Sequence, residues 1–346
     1  MWNSSSTPIV APGACEAVGV DTTDGSPDAV VLGEALMDLL ETPDSGPQTA
    51  LASGPTNTVF RPVVGGAPLN VAVGVARLGG RAVFLGALAT DELGRRIRAL
   101  LDAAGVDTAG CPASPAPTTL ALASFTGAEP DFRFYGQPPS YAAIGPDDVD
   151  RRSLATARTL YCGSIALLQP GPLAAARAAW SVPGPLRTLD PNVRPRLTPD
   201  PAALRATVEE FAATAHLVKL SEPDARELFD LDPDAAAAHL RAVGAATVVV
   251  TLGAAGALVA HDTTVVRVPA PRVRAIDTTG AGDATMAGLL FALARAGLPG
   301  DASGWRSHVA FATSVGALVC ETPGAATAMP TLAALRSRFP TLPLPT

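Results

Sequence analysis

From residue 157 onward, short apolar segments alternate with segments of helical periodicity, and this alternation limits the folds open to the chain. The predicted strands cover 158–162, 186–190, 215–220 and 246–251. The predicted helices cover 171–180, 200–212, 222–229 and 234–243. Strands that alternate with helices of this length form parallel βαβ units, in which the helix returns the chain along the sheet. We therefore predict an α/β fold, a doubly wound, mostly parallel sheet flanked by helices.

The rest of the chain extends this domain. Further strands are predicted from Ala29 and at 81–85, a hairpin at 255–268, and helices at 68–78, 91–104, 281–296, 303–320 and 330–338. Two short β segments, at about 36–64 and 117–136, are too small to form a domain and are predicted to pair as one lid sheet. Residues 1–28 are rich in Ser, Thr, Pro, Gly and Asp, which is typical of a disordered tail. We expect one domain over 29–340.

Composition excludes several functional classes. The net charge of −7 leaves no basic surplus to neutralise the phosphates of a nucleic acid. No uninterrupted apolar run is long enough for a membrane helix, and no positive charge precedes Arg61, so we expect a cytoplasmic protein that does not contact a membrane. The four cysteines show neither metal-site nor disulfide spacing. The only lysine, Lys219, has no glycine before it, which excludes a P-loop.

Residues 277–283 read Asp-Thr-Thr-Gly-Ala-Gly-Asp and lead directly into a predicted helix. The amides of Gly280, Ala281 and Gly282 lack partners inside that helix, so with the helix dipole they form an anion site suited to a transferred phosphoryl group. Asp283 lies in the first turn, where its carboxylate can accept a proton from an attacking alcohol. Taken alone, an ordinary acidic first turn beside a glycine-rich bend explains the same residues.

Two segments nearer the amino terminus fit the binding of a polyol. Gly65 and Gly66 let such a ligand approach the backbone, and Asn70, one turn into a helix, offers both a donor and an acceptor. Asp38 follows the first strand, where its carboxylate could receive two hydroxyls. A plain Gly-Gly turn and an exposed loop aspartate would explain these residues without a ligand.

A fourth segment follows the predicted strand at 246–251. There Thr251 leads into a turn that contains Gly253 and Gly256, which is compatible with nucleotide binding. A tight hairpin turn explains these residues equally well.

The order and spacing of the four segments resemble the ribokinase (PfkB) family of carbohydrate kinases over nearly all of 29–338. The first signature of that family matches residues 65–79, Gly-Gly-Ala-Pro-Leu-Asn-Val-Ala-Val-Gly-Val-Ala-Arg-Leu-Gly, and the second matches 277–283. The resemblance implies a ribokinase-like fold and transfer of the γ-phosphoryl group of ATP, with Mg²⁺, to a sugar hydroxyl.

The resemblance also implies a role for each matching residue. Asp283 would take the hydroxyl proton, and the anion hole would be formed by Gly280, Ala281 and Gly282. The sugar would be held by Asp38, Gly65, Gly66 and Asn70. The nucleotide side would include Thr251, Gly253 and Gly256. Positions that in several members line a site for a monovalent cation such as K⁺ are matched by Asp277 and Thr279.

The chain departs from the family pattern in two places. The Asn-x-x-Glu motif near the metal and phosphates is replaced by Ser-x-x-Asp, so that Lys219, Ser221 and Asp224 would lie on the nucleotide side. Asp224 could hold a Mg²⁺-bound water, with Glu222 and Glu227 as rivals. In the lid, Gly136 follows Tyr135 where fructokinase-like members place an arginine, and Arg133 is the candidate substitute for sugar contact.

The choice of sugar depends on a second resemblance within the family. The Gly-Gly-Ala-Pro-x-Asn start and the run Asp-Pro-Asn-Val-Arg at 190–194 are similar to those of fructokinases, which implies D-fructose phosphorylated at O6. The same run is similar in 2-dehydro-3-deoxygluconate kinases, where its arginine faces the substrate acid, so Arg194 is a candidate contact or else a partner in an interstrand salt bridge.

The same motifs also fit a different sugar or nucleoside kinase of the family, or a catalytically silent sugar-binding homologue. A monomer or a homodimer through the lid is expected.

Overall fold

The computed structural model describes residues 25–42, 59–126 and 129–345. In chain order, its strands are β1 (Ala29–Leu32), β2 (Leu36–Thr42), β3 (Val59–Gly65), β4 (Ala82–Leu85), β5 (Leu88–Ala89), β6 (Ala113–Ser114), β7 (Leu120–Thr126), β8 (Glu129–Tyr135), β9 (Thr159–Gly163), β10 (Leu186–Asp190), β11 (Leu217–Ser221), β12 (Thr247–Thr251), β13 (Ala257–His261) and β14 (Thr264–Val268). Its α-helices are α1 (Ala67–Arg77), α2 (Glu92–Ala103), α3 (Arg151–Thr156), α4 (Pro170–Trp180), α5 (Pro201–Ala212), α6 (Glu222–Phe229), α7 (Pro233–Val243), α8 (Ala281–Ala296), α9 (Ala302–Val319) and α10 (Leu332–Arg338).

Eight strands form the central sheet, in the order β14-β13-β12-β11-β10-β9-β1-β4. The six strands from β12 to β4 run parallel, and β13 and β14 form an antiparallel hairpin at the other edge. The predicted doubly wound, mostly parallel sheet is confirmed. It follows from the sequence because each crossover helix must return the chain before the next parallel strand can begin.

Both faces of the sheet are buried, and successive residues of one strand face different cores. On β9, Leu160 belongs to the core under α4 and α5, whereas Tyr161 belongs to the core under α1, α8 and α9. On β12, Val248 and Val249 are divided in the same way. Parallel strands covered on both faces carry continuous apolar runs rather than alternating ones, as the sequence does here.

The lid prediction is also confirmed, since the two β segments pair as one four-stranded sheet in the order β3-β2-β7-β8. Strand β2 pairs antiparallel with β3 and parallel with β7, so the two distant segments meet along β2. The first lid strand of the second segment was expected near 118 and begins at Leu120. Residues 43–58, which the prediction included in the lid, lie outside the described residues.

Some local elements differ from the sequence prediction. The pair β5 and β6 and the short helix α3 were not predicted, because elements of two to six residues leave no periodic signal. Most of the predicted tail, residues 1–24, lies outside the described residues. Asp28, placed in that tail, is buried and accepts a hydrogen bond from the amide of Arg81, so ordered structure begins before Ala29. None of the described helices has the length and apolar character that would span a membrane.

The carboxyl ends of the parallel strands meet at one edge of the sheet. Asp190, at the end of β10, is in register with Gly163 at the end of β9. Ser221, at the end of β11, is in register with Thr251 at the end of β12. In doubly wound folds, ligands bind at this edge, which is where the predicted site segments end.

Helix α8 is the central support of this edge because eleven consecutive residues, 284–294, are buried. It packs on α9 so closely that a Cβ on Gly288 would lie 2.8 Å from the Cα of Ala312 and 3.2 Å from Cγ2 of Val315. The missing side chain therefore fixes the separation of the two helices.

We expect Gly288→Val to lower the free energy of unfolding by about 1–3 kcal/mol, because the added methyl groups force α8 and α9 apart. Chemical denaturation measures this difference. Gly300→Val is the matched control, since a Cβ on Gly300 meets nothing within 4 Å. Equal midpoints for the two variants would contradict the assigned packing.

Candidate active site

Two pockets open at the carboxyl edge of the sheet, and the loop that precedes α8 separates them. The first has a volume of about 100 Å³ and includes Thr279, Gly280 and Asp283 in its wall. The second has a volume of about 440 Å³ and includes Thr278, Ala281 and Gly282. Alternate sides of one short segment thus face two different cavities. A group bound in either pocket lies against the same helix N-terminus.

The loop turns sharply because Gly280, the N-cap of α8, adopts the left-handed conformation with φ of +79°. A Cβ there would lie 2.9 Å from the Cβ of Ala325, so glycine is required for space as well as for conformation. The amide of Ala281 donates to the carbonyl of Thr278, at 3.2 Å. Among the described residues, the amides of Gly280, Gly282 and Asp283 have no acceptor, which leaves three donors for an anion.

Asp283 is held in the first turn of α8 by two asparagine side chains. Nδ2 of Asn70 donates to its Oδ2 at 2.8 Å, and Nδ2 of Asn192 lies 3.5 Å from its Oδ1. Burial raises the pKa of this carboxyl group, against the lowering effects of Asn70, Lys219 and Arg194. A fixed carboxylate with a raised pKa suits proton transfer near neutral pH.

Asn70 connects Asp283 to the first pocket. Its side chain is 5% exposed, and its Oδ1 atom has no hydrogen-bond partner among the described residues. A buried amide oxygen without a partner carries a free-energy cost, which a hydroxyl donor of a bound ligand would remove. Asn70 lies in the first turn of α1, which begins directly after Gly66. Gly66 has φ of +110°, and a Cβ there would lie 2.6 Å from the carbonyl oxygen of Glu34, so this turn requires glycine.

Asp38 approaches the same pocket from the lid. It lies on β2, and a Cβ on Gly65, the last residue of β3, would lie 2.0 Å from its Oδ2 atom. Gly65 does not itself line the pocket, and its role in this structure is to leave room for the carboxylate. Burial raises the pKa of Asp38 to about 7, with Arg194 lowering it and Asp283 raising it further.

The structure adds pocket residues that the sequence analysis missed. Glu34 is 1% exposed, its Oε2 accepts from the amide of Ala166 at 3.2 Å, and burial raises its pKa to about 7. Ser164, with φ of +62°, lies beside it in the wall. The remaining additions are Leu36, Ala67, Phe134 and Ile165. The position of Glu34 directly after the first strand was a usable signal, whereas Phe134 and Ile165 are apolar residues without a motif.

The two arginines predicted for the sugar side have different positions. Arg194 lines the first pocket, and its guanidinium is fixed by its own loop through Oδ1 of Asn192, at 2.7 Å. It forms no salt bridge with a described residue, so nothing in this part of the chain supports the salt-bridge interpretation. Arg133 is exposed on β8 and is not part of the wall, because its neighbour Phe134 occupies the inward face of the strand.

The second pocket contains Thr251, Gly253 and Gly256, as expected for the nucleotide side. Gly256 has φ of +98°, and a Cβ there would lie 2.0 Å from the carbonyl oxygen of Val268, so only glycine fits this turn. The opposite wall was missed. It consists of small residues along one face of α9 and at its C-cap, namely Thr313, Gly316, Ala317 and Cys320. The loop after β14 was missed as well, and it contributes Ala270, Pro271, Arg272, Val273 and Ala275.

Three residues expected on the nucleotide side line neither pocket. Ser221 caps α6, and its Oγ donates to Oδ2 of Asp224 at 2.6 Å. Oδ1 of Asp224 accepts a hydrogen bond from the amide of Val193, at 2.8 Å. Both carboxylate oxygens of Asp224 are therefore already bonded within the protein. Lys219 is buried behind the loop, in an ion pair with Asp190. The residues of the altered motif therefore connect the loop after β10 to α6.

Of the two expected cation positions, Thr279 lines the first pocket, whereas Asp277 lines neither pocket. Oδ1 of Asp277 accepts from the amide of Thr279, and its Oδ2 accepts from the amide of Gly324, both at 2.9 Å. Burial would raise its pKa, but these hydrogen bonds outweigh it and the pKa is lowered. In the part of the chain that the structure describes, no group of three or more His, Cys, Asp or Glu side chains is arranged to hold a metal. Magnesium that arrives with a nucleotide takes most of its ligands from phosphates and water, and needs no such group.

Comparison with known proteins agrees with this geometry. The family model of the pfkB family carbohydrate kinases matches residues 26–332. A fructokinase from Klebsiella pneumoniae is 36% identical over 307 residues, which cover 87% of this chain and 95% of the relative.

Two solved structures are similar over the whole fold. A fructokinase from Xylella fastidiosa with bound ATP has a TM-score of 0.80 and 29% identity, covering 91% of this chain and 98% of the other. A fructokinase from Vibrio cholerae, in its fructose, ADP and calcium ion bound form, has a TM-score of 0.76 and 31% identity, covering 89% and 97%. The chain therefore belongs to the pfkB family of carbohydrate kinases and is a phosphotransferase with a hydroxyl acceptor.

Proposed function

We propose that this protein transfers the γ-phosphoryl group of MgATP to O6 of D-fructose, with Asp283 as the general base. The observation that carries the proposal is the shared loop, which exposes the Asp283 carboxylate to one pocket and the Gly282 segment to the other. A sugar and a nucleotide bound on the two sides would meet at the amino terminus of α8. Relatives named fructokinase, similar over most of the chain, support fructose as the acceptor.

In the sugar pocket, the lid and α1 provide the polar contacts. The Asp38 carboxylate is placed to accept hydrogen bonds from sugar hydroxyls, and the unpartnered Oδ1 of Asn70 accepts one more. Phe134 and Ile165 supply apolar walls that exclude water from the reacting hydroxyl. Exclusion of water favours transfer to the sugar over hydrolysis of the nucleotide.

In the chemical step, O6 attacks the γ-phosphorus, and the bond from phosphorus to the β,γ-bridging oxygen breaks. The O6 proton passes to Asp283, the new bond gives fructose 6-phosphate, and ADP leaves with the bridging oxygen. The free amides at the start of α8, those of Gly280, Gly282 and Asp283, stabilise the negative charge of the transferring group. Magnesium bound to the nucleotide would neutralise phosphate charge, and among the described residues no group of three or more carboxylates is arranged to hold it.

ADP release with MgATP and a panel of fructose, ribose, tagatose, 2-dehydro-3-deoxygluconate and a nucleoside tests the acceptor. Fructose is expected to give the highest kcat/KM. A preference for 2-dehydro-3-deoxygluconate would mean that this sugar acid, and not fructose, is the acceptor. The Arg194 guanidinium at the pocket wall would then bind the carboxylate of the sugar acid. Folded protein without activity toward any of these compounds would overturn the proposed function.

Asp283→Asn is expected to reduce kcat by about 10²–10⁴-fold, because the amide cannot take the O6 proton. Fructose affinity, measured by calorimetry without nucleotide, should change little, since an amide oxygen can still accept from Asn70. Turnover close to that of the wild type would exclude Asp283 as the base.

The pH profile follows from the raised carboxyl pKa values. Protonation of Asp283 removes the base, and protonation of Asp38, whose pKa is about 7, removes a sugar acceptor, so kcat/KM for fructose should fall as the pH drops below about 7. Steady-state rates between about pH 5 and pH 9 measure this acid limb. ADP affinity over the same range is the control and should follow a different profile. A kcat/KM that is constant down to about pH 5 would be inconsistent with these assignments.

Gly65→Ala tests the role of Asp38 without removing its charge. The new Cβ would displace the carboxylate, so the KM for fructose should rise by about 10- to 100-fold, the effect of losing a hydrogen bond to a charged group. ADP affinity should be preserved. Gly110→Ala is the control, because its Cβ would make an ordinary 3.6 Å contact with Leu85. If both variants keep the wild-type KM, Asp38 does not bind the sugar.

A further inference from the structure

A buried ion pair lies directly behind the loop that separates the two pockets. Its cation, Lys219, is the only lysine of the chain and is 3% exposed on β11. Its anion, Asp190, ends β10 and is 1% exposed. The distance from Nζ to Oδ2 is 2.7 Å. Because β10 and β11 are parallel neighbours in register, the two side chains lie side by side at the carboxyl edge of the sheet.

The ammonium group reaches the first turn of α8. A Cβ on Gly282 would lie 3.2 Å from Nζ of Lys219. Because glycine has no side chain, the ammonium can lie close to the backbone of the anion-binding turn. Asp283 is the next residue after Gly282, and the positive charge of Lys219 acts to lower the pKa of the Asp283 carboxyl group. The ammonium is therefore close to both the expected phosphoryl position and the base.

The hydrogen bonds of this ammonium are incomplete. A lysine ammonium carries three donors, and among the described residues Nζ has a single hydrogen-bond partner, Oδ2 of Asp190. Donors left unused in a buried charged group are costly, and a bound phosphoryl oxygen would supply the missing acceptors.

The surroundings keep the group charged. Burial acts to lower the pKa of Lys219, but the nearby carboxylates of Asp190, Asp224 and Asp283 outweigh it and the pKa is raised. Asp190 itself has a pKa of about 6, raised mainly by burial and held down by Lys219. At neutral pH the pair therefore carries both charges.

We propose that the Lys219 ammonium contacts the transferring phosphoryl group and stabilises its developing negative charge, and that Asp190 positions the ammonium. The inference rests on the proposed phosphoryl transfer. Lys219 then supplies from the middle of β11 the charge that a P-loop lysine supplies in other kinases. Asp190 is a positioning residue, because its carboxylate acts through Lys219.

The decisive comparison uses two single variants that break the same pair. Lys219→Met removes the ammonium, whereas Asp190→Asn keeps it and retains an acceptor for the amide of Asn192, which bonds Oδ1 at 3.2 Å. If the ammonium acts on the phosphoryl group, Lys219→Met should lower kcat by about 10²–10³-fold and Asp190→Asn by much less. The KM for fructose should change little in either variant.

The double variant Lys219→Met/Asp190→Asn removes both charges together, so that neither is left buried alone. It should be folded by circular dichroism and bind fructose in calorimetry, yet keep the kcat deficit of Lys219→Met.

A second buried pair supplies the control. Nη2 of Arg295 lies 3.1 Å from Oδ2 of Asp28, with both side chains buried, and neither residue lines a pocket of the active site. Asp28→Asn/Arg295→Met should lower the melting temperature without a comparable loss of kcat.

Each outcome decides the question. Equal losses of kcat in the two single variants, or a double variant within about threefold of the wild-type kcat, would overturn the role of Lys219 while leaving the kinase activity intact. Wild-type protein that phosphorylates none of the sugars would overturn the proposed function and this inference together. If the double variant does not fold, the ratio between the two single variants gives the answer.

Discussion

The amino terminus of α8 is the feature on which the rest of the site depends. The helix is buried along most of its length and packs on α9 through Gly288, so the turn at Gly280 has a fixed position relative to the sheet. This turn separates the two pockets and presents unpaired amides beside the Asp283 carboxylate. Rigid support matters because phosphoryl transfer depends on positioning and on charge stabilisation more than on covalent chemistry. The core of the protein thus determines the geometry of a surface site.

The electrostatics of the site follow from the crowding of carboxyl groups. Glu34, Asp38, Asp190 and Asp283 all lie at the same edge of the sheet, and burial raises the pKa of each. Two cations, Arg194 and Lys219, oppose this rise from opposite sides of the loop. The balance leaves carboxyl groups that titrate near neutral pH, which is the range in which a general base is effective. In a protein with a net charge of −7, these two cations lie beside the loop at which a phosphoryl group would be transferred.

Much of this could be predicted from the sequence, because the informative residues are those with strict backbone requirements. Glycines at 65, 66, 256 and 280 occupy positions where a Cβ would collide, and their spacing indicated the sheet edge, both pockets and Asp283. The Ser-x-x-Asp pattern at 221–224 is also the sequence signature of a helix cap, which is the role of Ser221 and Asp224 at the start of α6, whereas the family resemblance implied metal or phosphate contact. The sequence could not orient Arg133, because the inward face of β8 depends on how its hairpin with β7 pairs with the distant strand β2. Phe134 was missed for the same reason, whereas the position of Glu34 just after β1 was a usable signal.

Direct transfer between two pockets that share one loop is the central claim, and the stereochemical course of the reaction tests it most directly. ATP whose γ-phosphoryl group is made chiral with oxygen isotopes would be used with fructose, and the configuration of the sugar phosphate determined by NMR. A single in-line displacement, with Asp283 as a base, predicts inversion at phosphorus. Retention would require two displacements and a phosphorylated protein side chain, and would contradict the account.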